Sequence, residues 1–476
     1  MVARSLGGTA FPARFRRQTG PDGPAAAAEG LQGPRERTDS VDRIVVEGGA
    51  RLEGTVEING AKNAVLPIMA SCLLADGPTV IDNPPNVRDV RTLLKVLAAL
   101  GVKHEWNGTM VLEVVDETLI KAPYELVSQM RASVCVLGPL VAKRGRALVS
   151  LPGGCAIGVR PIDLHRKGLE ALHVRTEVVE GYVLADTEGL RGANIYLGGP
   201  FGSTVLGTAN TLMAASLASG VTTIQCAACE PEIEDLARYI NKMGGAIEGA
   251  GSPILRVRGV RSLRGTRHTV IPDRIEAATF MIAAAITGGD VTCENVRVEH
   301  LGAIIDTLRK AGAEIIPFEN SVRVIGPDRI QPVDVTSLPY PGVPTDCQAQ
   351  LMALMCIADG ISVVTEKIYP DRFMHVAELM RMGADLRKEG PSVIVRGVPH
   401  LSGAQVMASD LRASASLILA GLVAEGKTDI GRVYHLDRGY EKIEEKFRAL
   451  GASIHRYDDG EVAPNVPKDM TAQANV

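Results

Sequence analysis

The chain has 476 residues, of which 46% are hydrophobic and 22% are charged, and its formal net charge is −4. This length suits two domains of roughly 200 residues each. The negative charge argues against general binding of DNA or RNA, and an aromatic fraction of 4% with a single Trp argues against a platform for stacking bases. If the substrates are anionic, the cationic groups that bind them must be concentrated in one cleft.

Both termini are predicted to lie outside the fold. Residues 1–42 are rich in Gly, Ala, Pro and Arg, and the first 21 residues hold four arginines and no acid. Such a start faintly resembles an organelle transit peptide, but a disordered extension or a misplaced start codon is the favoured interpretation. Residues 462–476 are interpreted as a disordered tail. No apolar run approaches the ~18 residues that a membrane span needs, so we expect no membrane partner.

Eight cysteines in a chain of this size do not indicate a disulfide framework. Cys226-Ala-Ala-Cys229 is a lone CxxC without a second pair of ligands, so no metal site is predicted and both residues are interpreted as ordinary buried thiols. Cys72 and Cys356 lie in apolar runs and are predicted to be core residues.

An internal repeat with a period of about 70 residues organises the chain. Six times, a small-residue step ends an amphipathic helix and opens a strand, and a glycine is the expected cap because it adopts a left-handed conformation without steric cost. In chain order the central residues of these steps are Gly101, His173, Gly244, Gly312, Gly383 and Gly451.

Each unit is predicted to contain a strand, a loop, a helix, the glycine turn and a short hairpin. Helical periodicity places Leu301, Ile304, Ile305 and Leu308 on one face, and likewise Ile443, Phe447 and Leu450. The stretch Ser392–Arg396 has the pattern of a hairpin strand. Charged residues collect in the loops ahead of the helices, where the positive helix ends attract anions, so phosphate or carboxylate substrates are indicated.

Six motifs carry a resemblance to the UDP-N-acetylglucosamine enolpyruvyl transferases, within the wider EPSP synthase family, and it covers residues 43 to about 457. No P-loop and no GxGxxG motif competes with this interpretation. In chain order the motifs are Gly60-Ala61-Lys62-Asn63-Ala64, Leu151-Pro152-Gly153-Gly154-Cys155-Ala156-Ile157-Gly158-Val159-Arg160-Pro161, Pro344-Thr345-Asp346-Cys347-Gln348-Ala349-Gln350, Asp371-Arg372-Phe373-Met374-His375, Asp410-Leu411-Arg412-Ala413-Ser414-Ala415 and His435-Leu436-Asp437-Arg438-Gly439-Tyr440.

The resemblance implies an α/β (α+β) protein built as a two-domain inside-out α/β barrel, with three of the six units in each domain. Residues 62–271 would form the first domain. Residues 43–61, expected to be one N-terminal strand, and residues 272–461 would form the second.

By resemblance, the enzyme transfers the enolpyruvyl group of phosphoenolpyruvate to the 3-hydroxyl of UDP-N-acetylglucosamine and releases phosphate, without a cofactor. Asp346 is the predicted base. Cys155 is predicted to act in proton donation or in product release, and it is the residue that fosfomycin alkylates in the family. Lys62 is assigned a catalytic role as well. The residues assigned to phosphoenolpyruvate are Lys62, Asn63, Arg160, Arg372, Arg412 and Arg438; Lys62, Arg160 and Arg438 meet the phosphate, and Arg372 and Arg412 the carboxylate.

The sugar nucleotide would contact both halves of the chain. The residues that the resemblance assigns to it are Asn63, Arg131, Arg160, Pro161, Asp163, Leu164, His165, Gly202, Ser203, Thr204, Asp346 and Ile368. Many family members have a diphosphate-binding lysine where this chain reads Gly199-Pro200-Phe201-Gly202-Ser203-Thr204. We therefore expect backbone amides and hydroxyls of this loop to hold the diphosphate, although Ser or Thr here is also typical of a helix cap.

Three other functions stay open at this point. The shikimate-pathway enolpyruvyl transferase is disfavoured by the Cys-bearing Gly-Gly loop, an idle sugar-nucleotide-binding paralogue by the intact candidate residues, and an RNA-terminal-phosphate cyclase by the net negative charge. The resemblance implies a cytoplasmic enzyme of peptidoglycan synthesis, and so of cell-wall biogenesis, cell shape and division. The oligomeric state is not revealed, with a monomer favoured.

Overall fold

The computed structural model of this chain describes residues 42–151 and 162–458, which fold into alternating helices and strands. The predicted α/β class is confirmed. In chain order the α-helices are α1 (Lys62–Ser71), α2 (Arg88–Ala99), α3 (Tyr124–Val127), α4 (Leu137–Arg144), α5 (Asp163–Ala171), α6 (Val205–Ala215), α7 (Pro231–Lys242), α8 (Arg274–Ile286), α9 (Gly302–Lys310), α10 (Gln348–Met355), α11 (His375–Arg381), α12 (Leu411–Val423) and α13 (Ile443–Ala449).

The strands are short, and the predicted hairpin strand at 392–396 is confirmed as one of them. In chain order they are β1 (Arg43–Glu47), β2 (Glu53–Glu57), β3 (Ala75–Asp76), β4 (Thr79–Asp82), β5 (Val102–Asn107), β6 (Thr109–Val114), β7 (Lys121–Ala122), β8 (Arg146–Ser150), β9 (Arg175–Val179), β10 (Tyr182–Asp186), β11 (Asn194–Tyr196), β12 (Val221–Gln225), β13 (Ala246–Glu248), β14 (Ile254–Arg258), β15 (Leu263–Arg264), β16 (Arg267–Thr269), β17 (Asp290–Glu294), β18 (Glu314–Pro317), β19 (Ser321–Ile325), β20 (Val335–Ser337), β21 (Ile361–Glu366), β22 (Asp385–Glu389), β23 (Ser392–Arg396), β24 (Gln405–Met407), β25 (Lys427–Gly431) and β26 (Ser453–Tyr457).

Six four-stranded sheets in the described part of the chain share one connectivity. In each sheet an edge strand runs parallel to its neighbour and the other two pairs are antiparallel. The sheet orders are β16-β4-β6-β5, β7-β8-β10-β9, β11-β12-β14-β13, β2-β17-β19-β18, β20-β21-β23-β22 and β24-β25-β1-β26. The sequence repeat is therefore also a structural repeat.

Through strand pairing, the parallel edge strands link the units into two rings of three. Strand β16, which follows the third sheet in the chain, returns to pair with β4 of the first sheet. In the second ring, β1 completes the last sheet and β2 supplies the parallel edge of the β17 sheet. The expectation of a single strand over about 43–61 is thus wrong, because two strands are separated by a turn in which Gly49 has a φ of 94°.

Left-handed backbone marks all six predicted helix-ending steps. Because glycine carries no Cβ, it adopts positive φ without strain, and five of the six positions are glycines. The φ values are 81° at Gly101, 67° at His173, 103° at Gly244, 102° at Gly312, 91° at Gly383 and 96° at Gly451. Both predicted helix faces are also confirmed, since all of their residues are buried.

Each unit contributes one helix to an interior position and one amphipathic helix outside it. Every residue of α10, every residue of α8 after Arg274 and every residue of α12 before Val423 is buried. Helices that are apolar all round are buried on all sides, whereas the outer helices α2, α7 and α9 bury a single face. The interior helices therefore begin at fixed positions on a rigid core.

Two hydrophobic cores follow from this arrangement. The first core is formed by residues between Ala61 and Ile271, and the second by residues 44–58 together with residues 275–454. The chain passes between them twice, and the two passages pair where Ala61 N donates to Ile271 O at 2.7 Å. The domain boundaries predicted at residues 62 and 272 stay a prediction, as does the barrel closure.

One buried side-chain amide, that of Asn210, connects three segments of the first core. Asn210 on α6 donates to Val134 O at 3.0 Å and to His165 Nδ1 at 2.9 Å, and its Oδ1 accepts from Gly138 N at 2.7 Å. Asn210→Leu would leave these three buried groups without partners, so we expect the free energy of unfolding to fall by about 3–5 kcal/mol in urea titrations.

Asn241→Leu is the matched control. Asn241 makes two hydrogen bonds, both with the backbone of Ile247, but it lies at the surface, where water can replace the amide. Its loss should cost about 1 kcal/mol or less. Equal losses in the two variants would contradict the role assigned to Asn210.

Candidate active site

Several predicted site residues lie at or just before the beginnings of helices, whereas Arg372 lies in the loop ahead of α11 and Arg438 ends a 3-10 helix. Lys62 and Asn63 open α1, Arg412 is the second residue of α12, and Asp346 lies in a 3-10 turn at Thr345–Cys347 that leads into α10. The first N–H groups of a helix have no partner inside the helix, and the helix dipole makes this end positive. The interior helices of both cores thus present their positive ends together with cationic side chains.

Asp346 is the counter-ion of two buried arginines. Its Oδ1 accepts from Arg372 NH1 at 2.8 Å, and its Oδ2 accepts from Arg412 NH2 at 3.2 Å and from Asn63 Nδ2 at 3.3 Å. The two guanidinium groups are 7% and 3% exposed, whereas the carboxylate is 26% exposed. Asn63 belongs to the first core's α1 and Asp346 to the second core, so this cluster joins the two.

The electrostatic balance at Asp346 favours the ionised carboxylate. Burial raises the pKa of Asp346, but the charges of Arg412, Arg372 and Lys62 outweigh burial and hold it well below its ordinary value. Arg412 also lies over the ring of Tyr440, with its guanidinium carbon 5.3 Å from the ring centroid. The carboxylate is therefore ionised and tied to two fixed cations in the protein alone.

A second carboxylate, Asp89, bridges the other two predicted phosphate-binding cations. Its Oδ2 lies 3.1 Å from Lys62 Nζ and its Oδ1 3.0 Å from Arg438 Nε. Burial raises the pKa of Asp89, and the charges of Lys62 and Arg438 more than offset that and lower it. The bridge brings together a lysine of α1 and an arginine from the second core.

Sequence reasoning missed Asp89 as a site residue, and the structure shows it in the first turn of α2. Its place becomes clear only from the structure, because Lys62 and Arg438 are distant in the sequence and need a buried counter-charge.

Two further aspartates fix the helix starts that carry these side chains. Asp410 caps α12 by accepting from the backbone N–H of Arg412 at 2.8 Å. Asp273 caps α8, and its second oxygen accepts from Lys62 N at 3.2 Å, so α1 and α8 begin at a common carboxylate. These caps hold the backbone of Lys62 and Arg412 in place.

Glu366, at the end of β21, orders the loop that carries Arg372. One oxygen accepts from Thr345 Oγ1 at 2.8 Å, and the other accepts from the N–H groups of Ile368 and Tyr369 at 2.7 and 3.0 Å. Thr345 Oγ1 in turn accepts from Arg372 NH1 at 3.0 Å. Ile368, a predicted nucleotide contact, is thus placed by the same carboxylate.

Comparison with known proteins identifies the family. A family model described as EPSP synthase (3-phosphoshikimate 1-carboxyvinyltransferase) matches residues 46–447. A UDP-N-acetylglucosamine 1-carboxyvinyltransferase of Desulfosudis oleivorans is 56% identical over 419 residues, which cover 87% of this chain and 99% of that protein. The protein of the same name from Geobacter metallireducens is 53% identical over 417 residues, 87% and 99% of the two chains. The chain belongs to the EPSP synthase family.

Solved structures agree with this assignment. The enolpyruvyl transferase NikO from Streptomyces tendae superimposes with a TM-score of 0.80 at 25% identity, covering 90% of this chain and 100% of that one. EPSP synthase from Acinetobacter baumannii gives a TM-score of 0.68 at 20% identity over 88% of this chain and 100% of the other, and so shares the fold. The resemblance carried by the motifs is therefore confirmed as membership of the family.

The predicted nucleotide residues of the first half form a separate group. Asp163 and Leu164 begin α5, and Leu164 Cδ1 lies within 2.9 Å of the position that a Cβ on Gly199 would take. Gly199 and Gly202 exchange backbone hydrogen bonds of 2.8 and 3.1 Å, and Thr204 Oγ1 accepts from Gly207 N at 3.3 Å as the cap of α6. The cap role considered for this loop is thus observed.

His165 and Arg131 lie at the inner edge of that group. The His165 ring is buried and hydrogen-bonded to Asn210, and burial, reinforced by the nearby charge of Arg131, lowers its pKa to about 3. The structure thus holds a neutral His165 ring inside the core, and the nucleotide contact predicted at this residue stays a prediction. Arg131 begins the 3-10 helix Arg131–Val136 that precedes α4.

The cysteines differ in their surroundings. Cys155, with Arg160 and Pro161, lies outside the described residues. Cys72 and Cys356 are buried as predicted, and burial raises the pKa of each thiol to about 12. The prediction that both thiols of the CxxC motif are buried is wrong, because Cys226 and Cys229 are partly exposed at the end of β12.

Residues 42–151 and 162–458 contain no helix that is long and apolar enough to cross a membrane. In the same part of the chain, His, Cys, Asp and Glu side chains form no group of three or more that could hold a metal ion.

Removing the charge of Asp346 should destabilise the substrate-free protein. Asp346→Asn leaves two buried guanidinium groups without an anion, which we expect to lower the free energy of unfolding by about 3 kcal/mol. Inorganic phosphate should raise the melting temperature of this variant more than that of the parent, because the added anion supplies the missing charge.

Asp290→Asn serves as the control in the same thermal melts. Asp290 pairs with Arg323 on a sheet surface where both side chains are about one-third to two-fifths exposed, and a surface pair contributes about 1 kcal/mol or less. If Asp346→Asn were no less stable than Asp290→Asn, Asp346 would not be the counter-ion of the site.

Proposed function

We propose that this chain transfers the enolpyruvyl group of phosphoenolpyruvate to the 3-hydroxyl of UDP-N-acetylglucosamine and releases phosphate, the first committed step of peptidoglycan synthesis, in the cytoplasm. The observation that carries the proposal is the linked cluster of Asp346, Asp89 and their four cations. The curated relatives named for this activity, 56% and 53% identical to the chain, support it.

Phosphoenolpyruvate carries two anionic groups that match the two cation pairs. Its phosphate binds Lys62 and Arg438, with Asn63 beside them and Arg160 as a further cation. Its carboxylate binds Arg372 and Arg412, whose planar guanidinium groups suit bidentate contacts. Each substrate anion replaces an internal carboxylate, so binding exchanges ion pairs and leaves no buried cation unpaired.

This exchange also prepares Asp346 to act as the base. A carboxylate held by two arginines is a weak base, because its negative charge is stabilised. When the substrate carboxylate takes Arg372 and Arg412, the pKa of Asp346 rises toward its ordinary value and the carboxylate becomes free to accept a proton. It then removes the proton of the sugar 3-hydroxyl as the oxygen attacks C2 of the enol.

The remaining steps need an acid and a leaving group. C3 of phosphoenolpyruvate gains a proton, which we assign to the Cys155 thiol, and a tetrahedral adduct forms. Loss of a proton from C3 then expels phosphate and regenerates the enol ether. Lys62 and Arg438 stabilise the charge of the departing phosphate.

The sugar nucleotide lies along the group formed by Arg131, Asp163 and Leu164. The amides of Gly199 and Gly202 bond to one another and Thr204 caps α6, so the diphosphate contacts fall to the Ser203 hydroxyl and the free N–H groups of the first turn of α6. Asp346 and Ile368 meet the sugar from the second core.

We further propose that the two cores are the two predicted domains and that they close on the substrates. We also propose that the enzyme works as a monomer without nucleic acid or membrane partners.

Phosphate release from phosphoenolpyruvate tests the proposed reaction. We expect release with UDP-N-acetylglucosamine as acceptor and none with shikimate 3-phosphate. Release with shikimate 3-phosphate alone would identify the shikimate-pathway enzyme instead, and binding of UDP-N-acetylglucosamine without any release would identify an idle paralogue.

Asp346→Asn should lower kcat by a factor on the order of 10² or more while both substrates still bind, because the amide cannot accept the hydroxyl proton. Asp371→Asn, an exposed neighbour of Arg372, is the matched control and should keep the parent kcat. Near-parental turnover in Asp346→Asn would exclude Asp346 as the base.

Fosfomycin should modify Cys155 alone among the eight cysteines, and faster when UDP-N-acetylglucosamine is present, as measured by mass spectrometry of peptides. The partly exposed thiols Cys226 and Cys229 provide internal controls. An adduct on either of them, or no adduct at all, would remove Cys155 from the active site. Cys155→Asp should retain activity and resist the drug, because a carboxylic acid can also donate a proton.

A further inference from the structure

Arg456, on β26 at the edge of the last sheet, binds three carboxylates at once. Its NH1 and NH2 donate to Asp437 Oδ2 and Oδ1 at 3.0 and 2.7 Å, in a bidentate pair. Its Nε donates to Glu444 Oε1 at 2.9 Å, and NH1 reaches Asp42 Oδ2 at 3.2 Å. The Arg456 side chain is 21% exposed, and its carboxylate partners range from 8% exposed at Glu444 to 38% at Asp437.

Asp437 directly precedes Arg438, which contacts Asp89 in the candidate site. Both residues end the 3-10 helix Val433–Arg438, which begins at Arg432 in a left-handed conformation with a φ of 60° and has no side-chain cap. Such a short helix makes few hydrogen bonds of its own, so its last turn depends on outside contacts. Arg456 supplies two of them at the residue next to Arg438.

We propose that Arg456 is a positioning residue for phosphoenolpyruvate binding: by holding the Asp437 carboxylate away from the site, it keeps Arg438 available to the phosphate. This inference rests on the proposed function. Arg456 lies in none of the recognised motifs, and its link to the site runs through Asp437, the residue before Arg438.

The negative charge of Asp437 explains how loss of Arg456 would weaken phosphoenolpyruvate binding. Without Arg456, the Asp437 carboxylate is a free anion one residue from Arg438, where it attracts that guanidinium and repels an incoming phosphate. Both effects act on binding of phosphoenolpyruvate and leave the proton-transfer group, Asp346, unchanged. The expected signature is therefore a raised KM for phosphoenolpyruvate with a smaller change in kcat.

The test compares Arg456→Gln with Arg43→Gln in the full-length enzyme. Arg43 lies on the neighbouring strand β1, forms a bidentate pair with Asp429 at 2.9 and 2.8 Å, and is 22% exposed, so it matches Arg456 in burial and in having a bidentate carboxylate partner. Asp429 is on β25 and is not a neighbour of Arg438 in the sequence, whereas Asp437 directly precedes Arg438. We expect Arg456→Gln to raise the KM for phosphoenolpyruvate about tenfold, and Arg43→Gln to leave it within about twofold of the parent.

The double variant Asp437→Asn/Arg456→Gln separates charge from mere anchoring. Removing the competing carboxylate should return the KM for phosphoenolpyruvate to within about threefold of the parent. If anchoring alone mattered, the double variant would be as impaired as Arg456→Gln, and the proposal would be overturned. If Arg456→Gln does not fold, Arg456→Lys, which keeps one charge but cannot bind all three carboxylates, should raise the same KM about threefold.

The outcome for the parent enzyme distinguishes this inference from the proposed function. A parent that releases no phosphate from phosphoenolpyruvate overturns the proposed function itself. An active parent with equal KM values in Arg456→Gln and Arg43→Gln overturns only the role of Arg456.

Discussion

Buried cations must have counter-ions, and this requirement organises the centre of the molecule. Removing a guanidinium or ammonium group from water costs several kcal/mol unless a carboxylate and hydrogen bonds compensate for it. Asp346 compensates for Arg372 and Arg412, and Asp89 compensates for Lys62 and Arg438. Because each carboxylate draws partners from both hydrophobic cores, the ion pairs also join the two halves of the chain.

The repeated unit explains how so many charges meet in one place. Each unit sends one apolar helix into the interior, and the beginnings of these helices carry the functional residues, such as Lys62, Asp346 and Arg412. The surrounding carboxylates Asp273, Asp410 and Glu366 fix the backbone of those beginnings. A site built from the positive ends of rigid helices favours anions before any substrate binds.

The sequence predicts the repeat because each unit is marked by residues whose identity depends on local backbone conformation and burial. A helix end that needs a positive φ selects glycine, and an interior helix needs apolar residues on every face, so both leave periodic marks. The motifs likewise predict Lys62, Asp346, Arg372, Arg412 and Arg438, which the structure brings into one linked cluster. Their roles in catalysis and binding stay predictions.

Other features depend on partners that are far away in the sequence. The place of Asp89 follows from Lys62 and Arg438, and the burial of His165 follows from Asn210 on another helix. The partial exposure of Cys226 and Cys229 likewise depends on how the end of β12 packs. No local pattern predicts such contacts, because each is set by tertiary packing.

The central claim is that Asp346 is held as an ionised counter-ion and is released when an anion takes its arginines. The most direct measurement is carbon-13 NMR of labelled aspartate carboxyl carbons over a range of pH, with the Asp346 signal assigned by its loss in Asp346→Asn. In the free protein the signal should stay at its ionised position well below the pH at which ordinary aspartates titrate, and inorganic phosphate should move its titration to higher pH. An Asp346 signal that titrates with the exposed aspartates and does not respond to phosphate would contradict the account.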